Sequence, residues 1–184
     1  MKTKTSNPNL NLPNLLALFR ILLAPLMLLF LFGRDSGILD IHPTWYDYFA
    51  GLIFVIASIT DFFDGFIARK WNQSTKLGAI LDPLADKMLI IAGLLGLMMI
   101  DRASVWAVYL ILVREVFITG LRVMAASEGK EIAASFLGKV KTFAQIFAIG
   151  FLIVQWPYAT ELLWFSVIAT LYSGYEYTRD YIKI

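Results

Sequence analysis

Six apolar blocks, each close to the ~20 residues a helix needs to cross a bilayer, leave this chain few folds to choose from. They run roughly Leu12–Phe32, Trp45–Ala68, Ile80–Ile100, Val105–Met124, Leu137–Trp156 and Leu162–Tyr177. A soluble domain of 184 residues could not bury a sequence that is 59% hydrophobic, because much of its surface must face water. The chain therefore reads as an all-α integral membrane protein, a six-transmembrane-helix bundle. Lys2 and Lys4 precede the first block as they would in a signal peptide. That block is too long for one and no small-residue cleavage site follows it, so it is expected to stay as a helix.

The basic residues orient the bundle. An even number of spans puts both termini on one side. Of the 16 Lys and Arg residues, only Arg34 and Arg102 fall on the other side, so both termini are expected in the cytoplasm. Trp45, Tyr46, Tyr48, Trp106, Trp156 and Tyr158 fall near the opposite boundary, as interfacial aromatics do. The expected location is the cell (inner or plasma) membrane, multi-pass. No repeat or linker divides the chain, and the connections at Gly33–Thr44, Lys70–Gly78 and Ala125–Phe136 are short, so residues 1–184 are expected to form one domain. There are no cysteines and a single histidine, His42, which leaves too few nitrogen and sulfur ligands for zinc. No basic patch is interleaved with aromatics, so nucleic acid is not an expected partner.

Carboxylates at the end of the second block and the start of the third carry the chemistry. Asp61 and Asp64 are three apart, and Asp82 and Asp86 four apart, so each pair shares a helix face. The polar stretch between the blocks, residues 70–77, makes a cytoplasmic hairpin that brings the two faces together. Four carboxylates converging at a membrane boundary repel one another strongly. They can be relieved by protonation, by basic side chains, or by metal ions. Ionisable residues at such a depth are functional by default, which favours metals. Oxygen-only ligation selects hard cations such as Mg²⁺ or Mn²⁺, and four carboxylates suit two ions better than one. A two-metal site can stabilise both the attacking and the leaving oxygen of an in-line displacement at phosphorus. An acidic-mouthed transporter or channel is the reading from another class, but such proteins place charge near the midplane or along a pore.

Small residues surround these acids. Gly65, Ala68 and Gly78 would let a base or phosphate approach the backbone, or would serve close helix packing. Arg69 could pair with a phosphate oxygen.

The pattern Asp-x-x-Asp-Gly-x-x-Ala-Arg, eight residues, then Gly-x-x-x-Asp-x-x-x-Asp resembles the defining motif of the CDP-alcohol phosphatidyltransferases, with every fixed position present. Six spans with cytoplasmic termini are similar to that family as well. The resemblance implies that Asp61, Asp64 and Asp82 hold one divalent cation and Asp61, Asp82 and Asp86 a second. It implies that Gly65, Ala68, Arg69 and Gly78 contact the CDP-linked donor. Asp86 would also be the general base on the acceptor hydroxyl, which attacks the β-phosphorus and releases CMP. The active site would face the cytoplasm, and a homodimer is suggested.

The acceptor is read from basic residues outside the motif. Arg114 and Arg122 are eight apart, some 80° around a helix, and Lys139 and Lys141 start the fifth block on the same side. A basic pocket beside a dimetal site suits an acceptor that carries its own phosphate. Snorkelling to headgroups and a Glu115–Arg114 pair are the bland reading. Asn11-Leu-Pro-Asn14 through Arg20, Arg114-Glu115 with Arg122, and Gly138-Lys-Val-Lys-Thr142 with Gln145 resemble the phosphatidylglycerophosphate synthase branch of the family. Ala17 departs from it, standing where many members carry a hydroxyl. The branch implies CDP-diacylglycerol and sn-glycerol 3-phosphate as substrates, membrane lipids as surroundings, and Arg20, Arg114, Arg122, Lys139 and Lys141 as acceptor contacts. An inositol phosphate acceptor is the alternative within the family.

Overall fold

A computed structural model describes residues 12–37, 39–70, 75, 77–129 and 136–183, with side chains for all but 62–70, 79 and 183. It is all-helical, in the order α1 Leu12–Ser36, α2 Pro43–Lys70, α3 Gly78–Met99, α4 Val105–Ser127, α5 Phe136–Ile153 and α6 Ala159–Lys183. Each expected apolar block lies within one of these helices to within a few residues at its ends. The largest difference is at α6, which runs six residues beyond the apolar stretch that ends at Tyr177. The added turns, Thr178 to Lys183, are polar but contain no Gly or Pro, so the helix continues after its hydrophobicity stops.

The helices form two compact units, Met1–Gly96 and Leu97–Ile184. In the first, α1 packs along α2. The buried face of α1 is a stripe of Ala17, Arg20, Ala24, Met27 and Leu31, at the three- and four-residue spacing of one helix side. Small residues there let the neighbouring backbone approach closely, which is how helices associate without a hydrophobic driving force. Gly96 of α3 shows how close the approach is. A Cβ at this position would lie 2.6 Å from Leu31 Cδ1 and 3.2 Å from Leu31 Cβ. Leu31 is fully buried and has no room to retreat. Gly96→Val is therefore expected to lower stability by about 1–3 kcal/mol, the usual penalty of overpacking. Thermal denaturation of the purified protein in detergent measures it.

The connection from α1 to α2 is pinned by side chains. Tyr46 donates its hydroxyl proton to the Leu39 carbonyl at 2.7 Å and accepts from the Leu39 N–H at 2.6 Å. Arg34 reaches Asp47 at 3.3 Å and Asp35 at 3.1 Å. In the second unit α6 packs on both α4 and α5. Arg102, in the turn before α4, donates to the carbonyl of Ile153 at the end of α5 at 2.7 Å.

Outward faces are apolar as well. Leu22 on α1 is 69% exposed, Val116 on α4 74% and Ile168 on α6 65%. A helix that is hydrophobic all round needs an apolar surrounding. Two helices, α1 and α5, are long and apolar enough to cross a membrane. Other apolar runs are interrupted by charge: Asp82, Asp86 and Lys87 in α3, and Arg114, Glu115 and Arg122 in α4.

Candidate metal and substrate site

The acidic site belongs to the first unit. Asp61 stands on α2 and Asp82 and Asp86 on α3, each partly exposed. Arg20 of α1 joins the first two. Its guanidinium forms an ion pair with Asp61 and lies 4.0 Å from Asp82 Oδ1. The Arg20 side chain itself is fully buried. Arg20, expected from the sequence among the acceptor contacts, is thus held by aspartates.

Asp82 Oδ1 has no hydrogen-bond partner although it is buried. A buried carboxylate oxygen without a donor is costly unless a cation meets it. That observation, together with an all-carboxylate donor set, fits a hard divalent cation. Among the described residues no three acidic or histidine side chains are grouped to hold one ion. The expected set includes Asp64, which lies on α2 with its side chain outside the described residues. The same holds for the side chains of Ala68 and Arg69, and nothing around Gly65 is described.

Gly78 opens α3, where the Thr75 hydroxyl accepts from its N–H at 3.0 Å and caps the helix. Asn14 of α1 donates to the same hydroxyl at 3.0 Å and is buried. A Cβ on residue 78 would lie 2.6 Å from Asn14 Oδ1. The approach of Asn14 by itself requires glycine there. The sequence placed Asn14 only within a resemblance; its contact across 61 residues has no local signal.

The basic cluster belongs to the second unit. Arg114 is only 7% exposed, and its stem lies against Gly174. It donates to Glu115 at 3.1 Å and to the Ser173 hydroxyl at 2.8 Å. Lys141 of α5 forms an ion pair with the same Glu115 oxygen, so one carboxylate ties cations from two helices. Arg122 donates to the Tyr177 hydroxyl and lies over its ring, 4.8 Å from the centroid, while Arg114 is 5.8 Å from it. The arrangement brings Arg114, Arg122 and Lys141 together around Glu115 and Tyr177. Lys139 is exposed and, among the described residues, joins no ion pair.

Ser173 and Tyr177 were not singled out from the sequence. A signal was there. Ser166, Thr170, Ser173 and Tyr177 recur at helical spacing along an apolar span, and all four are buried. Thr170 accepts from Gln145 of α5 at 3.0 Å. Such a polar stripe inside a hydrophobic helix marks the face that meets other helices.

Known proteins resemble the chain over most of its length. The family model described as CDP-alcohol phosphatidyltransferase matches residues 10–172. A CDP-diacylglycerol–glycerol-3-phosphate 3-phosphatidyltransferase of Bacillus subtilis (strain 168) is 43% identical over 179 residues, covering 91% of this chain and 93% of its own. A protein of the same name from Escherichia coli (strain K12) is 39% identical over 178 residues, covering 91% and 92%.

Proposed function

The chain belongs to the CDP-alcohol phosphatidyltransferase family, and from that premise we propose that it transfers the phosphatidyl group of CDP-diacylglycerol to sn-glycerol 3-phosphate. The products are phosphatidylglycerol phosphate and CMP, a step of phospholipid biosynthesis. The observation that carries this reading is similarity over nine-tenths of the chain to two enzymes named for that reaction. The cationic cluster of the second unit, built around the buried Arg114, supports a phosphorylated acceptor.

Asp61, Asp64, Asp82 and Asp86 would hold two divalent cations, Mg²⁺ or Mn²⁺. Bound there, the cations would offset the charge of the diphosphate and of the oxygens at the reacting phosphorus. The chain's own residues do the rest. Gly65, Ala68, Arg69 and Gly78 receive the CDP moiety. Asp86 takes the proton of the acceptor hydroxyl as its oxygen bonds to the β-phosphorus, and the bond to the CMP oxygen breaks. Arg114, with its planar fork, holds the acceptor phosphate together with Arg122 and Lys141, and Lys139 adds positive charge at the same end of α5.

The surroundings follow from the same reading. All six helices span the cell membrane as one domain, residues 1–184, with both termini and the active site on the cytoplasmic side. The apolar outward faces support spanning by more than α1 and α5, and a homodimer would cover part of them. Release of CMP from CDP-diacylglycerol by purified protein, with and without a chelator, tests the reaction class. Release that needs both divalent cation and glycerol 3-phosphate is expected, with inositol, inositol phosphate, serine and choline giving none. Absent or chelator-insensitive release would overturn the proposal.

A further inference from the structure

Arg20 has a place that acceptor binding does not explain. Its side chain has no exposed surface, and its guanidinium engages Asp61 of α2 and approaches Asp82 of α3. Asp61 already engages that guanidinium. Burying a guanidinium is unfavourable unless carboxylates compensate it, and among the described residues Asp61 and Asp82 stand beside it. Charge counting gives the reason for such an investment. Four aspartates are balanced by two dications, so with metal bound the cluster needs no arginine. Without metal, the negative charge is left to the chain's own cations, and Arg20 reaches both Asp61 and Asp82.

We propose that Arg20 is a built-in counter-ion of the aspartate cluster, holding Asp61 and Asp82 together when divalent cations are absent. The proposal rests on the metal-site reading above. It ties three helices through one side chain, since Arg20 comes from α1, Asp61 from α2 and Asp82 from α3. It also makes arginine and metal partial substitutes. Anything that binds the folded protein stabilises it, and cations binding carboxylates that Arg20 has already offset gain less than cations relieving bare repulsion.

Thermal midpoints of purified protein in chelator and in saturating Mg²⁺ test this for wild type, Arg20→Gln and Arg20→Lys. The Mg²⁺-induced rise is expected to be larger in Arg20→Gln than in wild type, because the metal-free form loses most. Arg20→Lys keeps the charge and is expected to stay near wild type. Arg20→Gln that precipitates in chelator but remains folded in Mg²⁺ is the same result in its limiting form. An equal or smaller rise in Arg20→Gln, or failure to fold in Mg²⁺ as well, would mean that Arg20 packs or orients the core, and would overturn the proposal. A wild type with no Mg²⁺-dependent rise would instead remove the metal reading on which it rests.

Discussion

Replacing Asp82 with asparagine is expected to reduce CMP release by more than about 100-fold while leaving the protein folded. Partners one shell away from a metal typically cost 10–100-fold when lost, and Asp82 is proposed to ligate both cations directly. The fold should survive because Asp82 is not what packs α3. That helix is seated through Gly96 against Leu31 and through Gly78 against Asn14, and neither contact involves the carboxylate. Asparagine also fills nearly the same volume and removes one negative charge from a crowded cluster. Arg20 keeps Asp61 as a partner in the variant. The measurement pairs activity with the Mg²⁺-dependent thermal rise, and both are expected to fall together. Full activity in Asp82→Asn would exclude the residue from the metal site, however intact the fold.

The acidic and the basic cluster differ in how each is written into the chain. The aspartates are legible because the members of each pair are three or four residues apart and few residues separate the pairs, so one linear motif contains all four. The six helices are legible for a related reason: each is carried by a long, mostly apolar run, and hydrophobicity reports such runs directly. Contacts between distant elements are not written this way. Asn14 meets Thr75 and Arg114 meets Ser173, across 61 and 59 residues, and each pair is fixed by how helices pack rather than by spacing. Arg20 illustrates the consequence. Its sequence neighbourhood groups it with the acceptor contacts, whereas its depth on the buried stripe of α1 delivers it to the carboxylates. A basic residue in an apolar helix announces a partner without saying which.

Arg114→Ala should separate the two substrates. The acceptor KM is expected to rise about 10–100-fold, the worth of a charge-assisted hydrogen bond of about 1.5–3 kcal/mol, while the donor KM changes little. The surroundings of Arg114 set this expectation. Its guanidinium is positioned by Ser173 and Glu115, and Glu115 also fixes Lys141, so one network sets two of the cations proposed to meet the phosphate. Its Nε is buried and without a hydrogen-bond partner among the described residues. A donor held in reserve at that depth carries a desolvation penalty that a bound phosphate would repay. Arg114→Lys separates charge from geometry: a lysine keeps the charge but cannot donate to Ser173, Glu115 and a phosphate through one planar fork. Its acceptor KM is therefore expected between those of wild type and Arg114→Ala. A purely structural arginine would behave otherwise, lowering thermal stability and raising both KM values in parallel. Equal effects on the two substrates would thus refute the acceptor role and leave Arg114 as a strut between α4 and α6.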